Sequence, residues 1–188
     1  MIVPDMKMLL RMAEEAGFTH AAPLDPATIE LKEEVRAMCA DNSCGQYEKR
    51  WSCPPGCGTL EACGERIAGY RAGILVQTVG ELEDSMDVEA MMEAEAAHKA
   101  SFQKLYADLR GIFSDMLALG AGCCTQCGAC SYPDAPCRFP EKMVSSMEAY
   151  GMLVLDVCRR NDLKYYYGPG TIAYTSCFLL PLPSEFHT

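Results

Sequence analysis

The sequence predicts an α/β or α+β fold: a small mixed sheet with flanking helices, one of them long, and a cysteine-rich N-terminal lobe. Three observations lead there. Segments of helical period interleave with short apolar runs along the chain. An apolar stripe at helical spacing runs from Val88 through Met91, Met92, Phe102, Leu105, Leu109 and Met116 to Leu117. Five of the twelve cysteines fall within residues 36–65, among glycines and a Pro-Pro pair that forbid regular structure. Residues 1–188 read as a single domain, with 36–65 as a lobe inside it.

In chain order, residues 5–16 alternate charged and apolar positions at helical spacing, and Gly17 closes that helix as its C-cap. A short strand is expected around Thr28–Leu31, then a helical turn into Cys39. Thr59 can cap a helix running to about Tyr70. The run AGILVQTVG, residues 72–80, reads as a buried strand. Asp84 or Ser85 opens the long helix, about 50 Å over some thirty residues, which stops at Gly120. Ser145 and Glu148 form a capping box for a helix that breaks at Gly151 and resumes through Asn161. Residues 165–180 read as two strands, or one interrupted around Gly168-Pro169-Gly170.

Composition removes several function classes. Hydrophobic residues make up 49% and charged residues 22%, which excludes a disordered chain, a collagen and a coiled-coil rod. A net charge of −10 argues against nucleic acid, whose binders need a basic face, and against an anionic membrane surface. No apolar run reaches the roughly 18–20 residues of a membrane span. The first twenty residues mix charge into their apolar positions and carry no secretory cleavage site, so a cytoplasmic location is expected.

The cysteines carry the chemistry. Without an export signal, clustered thiols point to metal or redox chemistry rather than to disulfides. In the second block, Cys124, Cys127 and Cys130 give C-x2-C-x2-C, with Cys137 and Pro140 following. Three thiolates at two-residue gaps wrap one corner of an iron–sulfur cubane; ferredoxins use a related run whose last cysteine often serves another cluster. Cys137 therefore either closes this set or reaches a second site. Zinc is the alternative, although structural zinc usually takes two separated C-x2-C pairs.

The first block is less regular: Cys39, Cys44, Cys53, Cys57 and Cys63. Four ligands are needed and five are present. We take Cys39, Cys44, Cys53 and Cys63, with Cys57 spare because Gly56 and Gly58 beside it resemble turn residues; Cys57 in place of Cys63 stays open. Cys123, Cys158 and Cys177 read as non-ligating thiols, the last two as small buried hydrophobes. Glu95 and His98 sit on the long helix one turn apart. A carboxylate-bridged di-iron site needs a second such motif, so a solvated helix face is the expectation. Tyr165, Tyr166 and Tyr167 read first as strand packing residues.

Cys39, Cys44, Tyr47, Trp51, Cys53, Pro54 and Pro55, together with the stretch from Cys124 to Gly151, resemble a prokaryotic family of predicted metal-binding proteins, domain of unknown function 2284. The resemblance covers about residues 15–180. It implies metal binding, with iron–sulfur as the expected form, in mostly anaerobic bacteria and archaea, and it implies no reaction. Trp51, Tyr132, Arg138 and Tyr150 lie within it beside the cysteines and are candidates for a substrate role.

The expected cofactors are two [4Fe–4S] clusters, with zinc as the alternative, and the expected function is electron transfer to a redox partner protein or small molecule. Two other functions stay open: a redox enzyme with one iron left open, and a protein whose metal only holds the fold. Neither nucleic acid nor membrane is expected as a partner. From the methionine-rich stripe of the long helix, a homodimer is the expectation.

Overall fold

A computed structural model describes residues 5–182. Its centre is a five-stranded mixed sheet in the order β1-β2-β5-β3-β4. The strands are β1 (His20–Leu24), β2 (Ala72–Glu81), β3 (Leu117–Gly120), β4 (Ser145–Ser146) and β5 (Thr171–Leu180). β5 lies antiparallel between β2 and β3, β1 is an antiparallel edge on β2, and β4 is a parallel edge on β3. The helices are α1 (Met6–Ala16), α2 (Glu33–Ala40), α3 (Leu60–Ala68), α4 (Val88–Arg110) and α5 (Val154–Arg160).

Strand alternation divides the core in two. Ile74, Val76 and Phe178 face α1 and α4, where Leu9, Ala13, Leu105 and Leu109 meet them. Leu75, Cys177 and Leu179 face the opposite layer of Ile67, Tyr150, Met152 and Val157. The sheet is buried on both faces, so β2 reads as a continuous apolar run rather than an alternating one. Cys158 and Cys177 are wholly buried in the second layer, as expected for small hydrophobes.

Local signals hold where a cap is specific. Asp5 caps α1 by accepting from Met8 N at 2.8 Å, and Gly17 closes it at φ 109°. Thr59 caps α3 through Ala62 N at 3.1 Å.

Several expectations are corrected. The first strand is His20–Leu24 instead of Thr28–Leu31; Thr28 belongs to a 3-10 turn, and Leu31 makes only an isolated bridge to Met152. The alanines and Pro23 of that strand carry no β signal, but an edge strand tolerates a proline. The long helix opens at Asp87, which accepts from Ala90 N at 3.1 Å, and ends at Arg110, so it spans 23 residues, about 35 Å. Residues 117–120 form β3, because a short buried apolar run fits helix and strand alike. The Ser145–Glu148 capping box is absent: Ser145 lies in β4, and Ser146 Oγ accepts from Ala149 N at 3.0 Å to open a 3-10 turn. Residues 165–170 form a loop, and only Thr171–Leu180 is strand. No helix among the described residues is long and apolar enough to cross a membrane.

Candidate metal centre

The second cysteine block follows directly from the sheet. β3 ends at Gly120, and Gly122 turns the chain at φ 83°, a conformation glycine adopts without a Cβ penalty. The loop then carries Cys124, Cys127, Cys130 and Cys137 around one small cavity of about 20 Å³. Arg50, Trp51 and Ser52 of the first block form its other wall. The docking is specific. Arg50 Nη1 donates to Cys124 O at 3.0 Å, Cys124 N donates to Ser52 Oγ at 3.2 Å, and Trp51 Nε1 donates to Ala135 O at 3.0 Å. The Trp51 and Tyr132 rings meet edge to face at 4.9 Å.

The Cys130 sulfur sits where a ligating thiolate needs support. Burial opposes its charge, but the backbone N–H groups of Trp51, Tyr132 and Ser131 and the charge of Arg50 outweigh that, and its pKa lies below the ordinary thiol value.

The first block is gathered against the 148–151 turn. Lys32 N donates to Gly151 O at 2.8 Å, which sets the start of α2 and brings Cys39, near its end, over Glu148. Gly151 has φ 84°, a left-handed conformation that strains any residue with a Cβ, and a Cβ there would also press on the end of the Leu60 side chain. Cys57 Sγ donates to Ala149 O at 3.4 Å. Cys39 is raised by burial and then by the nearby Cys44 and Glu148. Burial pushes the Cys53 thiol up to about 11, and Cys44 and Cys123 both lie within its electrostatic reach. Cys57 hydrogen-bonds Cys63, which raises Cys57 and lowers Cys63.

Arg36 organises this block. Its Nη2 donates to Gly58 O at 2.6 Å and to Cys63 Sγ at 3.5 Å, and its charge favours the thiolates of Cys39, Cys57 and Cys63. Its Nε is a buried donor with no acceptor, the single such side-chain atom found among the described residues. An orphaned N–H amid three thiols fits an anionic, sulfur-rich group, because burying it without an acceptor costs about 1–3 kcal/mol. The donor set also fits: soft thiolates suit zinc and iron–sulfur clusters. As placed, no three His, Cys, Asp or Glu side chains among the described residues close around a single ion.

The aromatic and arginine candidates beside the cysteines, and the tyrosines before β5, each have a place in the structure. Tyr150 is buried, with its hydroxyl accepting from Arg66 Nη1 at 3.1 Å, and Arg138 Nη1 donates to Ala129 O at 2.8 Å within the second loop. Tyr167 stacks on His20 at 4.9 Å and donates to Gln77 Oε1 at 2.6 Å, while Tyr166 is exposed. His98 does not lie on a solvated face. It is 1% exposed, with Nδ1 3.0 Å from Thr78 Oγ1 and Nε2 2.7 Å from Ser176 Oγ, and burial lowers its pKa to about 4. Sequence reasoning passed over Arg36 and Arg50. Each stands three residues before a cysteine, at Cys39 and Cys53, and that repeated spacing in an acidic chain was the available signal.

A mixed α+β sheet that presents two cysteine-rich blocks, backed by arginines, defines a metal-binding protein. The model of a family described as predicted metal-binding protein, domain of unknown function 2284, matches residues 22–180, and the chain belongs to that family. Comparison with curated proteins finds no match, and neither does comparison with solved structures.

Proposed function

We propose that the chain is an iron–sulfur protein that holds two [4Fe–4S] clusters and transfers electrons. Cys124, Cys127, Cys130 and Cys137 would hold one; Cys39, Cys44, Cys53 and Cys63 would hold the other. The observation that carries this reading is the common cavity of the second block, which all four cysteines line and where backbone N–H groups support the Cys130 sulfur. When bound, such a cluster supplies one-electron chemistry. The chain's own residues do the rest. Arg36 and Arg50 offset the charge of gathered thiolates in a protein of net charge −10. The hydrogen bonds between the blocks fix the two sets against each other.

A second reading has its own support. The cavity of the second block is small, about 20 Å³, which suits a single zinc ion drawn in by small rotations of the four cysteine side chains around it. The metal would then hold the fold. Anaerobic purification followed by iron, sulfide and zinc analysis decides between them. About eight irons and eight sulfides per chain, with visible absorption bleached on reduction, support electron transfer. Stoichiometric zinc with no sulfide sinks it and leaves the structural role.

A further inference from the structure

A cavity of about 320 Å³ opens behind the second cysteine loop, between α4 and the chain leaving β3. That volume is in the range of small-molecule sites, which are mostly apolar with a few placed polar groups. Phe102, Tyr106 and Val144 supply apolar walls. Tyr106 donates to Glu141 O at 2.8 Å and so pins the 140–142 turn as a side of the groove. Gly120 keeps the floor open: a Cβ there would lie 3.3 Å from Val144 Cγ1 and 3.9 Å from Phe102 Cζ.

Gln103, Thr125, Gln126 and Ser176 add neutral polar groups, and the charged side chains of the lining are cationic. Lys99 and Lys142 both line the groove. Lys99 is paired with Glu95 at 2.5 Å. Lys142 Nζ lies 5.9 Å from the centre of the Phe139 ring and takes part in none of the ion pairs found among the described residues. In a chain of net charge −10, lysines on an apolar cavity select against cations and for an anion. Cys124 and Gln126 line both this groove and the cavity of the second cysteine set, so the two share a wall.

We propose that this groove binds a small, planar, largely apolar molecule carrying one carboxylate, seated against the outer side of Cys124. Its rings lie between Phe102, Tyr106 and Val144, and its carboxylate meets Lys142. The position beside a metal rests on the reading of Cys124 as a ligand; the groove itself does not.

The test is titration calorimetry of the full chain, as purified with its metal, using 2-naphthoate and its uncharged isostere 2-naphthamide. Naphthoate is expected to bind with a Kd in the micromolar range, about tenfold tighter than the amide. Lys142→Gln should remove that tenfold preference and leave amide binding unchanged. Val144→Trp should fill the cavity and abolish both, with circular dichroism unchanged. Absence of naphthoate binding at millimolar concentration overturns the proposal, as does binding that Val144→Trp leaves intact or an amide that binds equally well. A metal-free protein that still binds naphthoate in this pattern supports the groove while failing the metal reading, so the two failures are distinct.

Discussion

Arg50 Nη1 donates to the carbonyl of Cys124 at 3.0 Å, joining the two cysteine blocks across 74 residues of sequence. With Cys124 N donating to Ser52 Oγ at 3.2 Å, the residue that opens the second set is held at both its backbone N–H and its carbonyl by the first block. Neither block is therefore an independent motif.

Arg50→Ala is expected to lower stability by about 1.5 kcal/mol, a Tm fall of about 5 °C, because the hydrogen bond is charge-assisted and partly buried. Metal content of the second set should fall with it. A melt and a metal analysis unchanged from wild type would show that the contact does not couple the blocks.

Cys127→Ser should remove about half of the bound metal, since it breaks one of two thiolate sets. Cys177→Ala should leave metal content unchanged, because that thiol is wholly buried in the core and burial pushes its pKa up. Inductively coupled plasma analysis of both variants checks the pair.

In the first block, Cys63→Ser should lose metal and Cys57→Ala should retain it. Arg36 stands 3.5 Å from the Cys63 sulfur and favours its thiolate, whereas Cys57 Sγ donates to Ala149 O at 3.4 Å. The reverse outcome would make Cys57 the fourth ligand.

His98 should give stability a pH dependence of known sign. Burial lowers its folded pKa to about 4, with Glu95 raising it and Lys99 lowering it as smaller influences. The unfolded chain binds the proton near 6.5, so stability is full above that pH and is lost as pH falls from about 6.5 to about 4. The loss amounts to about 3 kcal/mol. Urea melts of wild type and His98→Gln across this window should differ in slope; parallel curves would place the ring's proton elsewhere.

Light scattering at micromolar concentration is expected to give twice the chain's 20.6 kDa. α4 spends Phe102, Leu105 and Leu109 on its own sheet, but Met86, Val88 and Met92 at its N-terminal end are 78%, 56% and 64% exposed. Apolar residues in that density favour a partner surface. Met92→Glu should then return the monomer mass, and a wild-type mass near 20.6 kDa removes the dimer.

Local chemistry made part of this protein legible. Caps at Gly17 and Thr59 act within one turn of their helices, so three or four residues suffice to place them. The run at 72–80 is long and apolar enough to be read as strand, and the C-x2-C-x2-C spacing of Cys124, Cys127 and Cys130 draws those thiols together within one loop. What depends on partners distant in sequence was not legible. His20–Leu24 is a strand only because β2 offers an open edge, and Leu117–Gly120 is a strand only because β5 and β4 flank it. The burial of His98 depends on Thr78 and Ser176, and the roles of Arg36 and Arg50 depend on sulfur and carbonyl atoms brought to them by other elements. The sequence alone determined which residues could ligate, because thiol spacing is covalent. Only the tertiary structure decided what supports those thiols and which charges sit beside them, because hydrogen bonding and burial follow proximity in space.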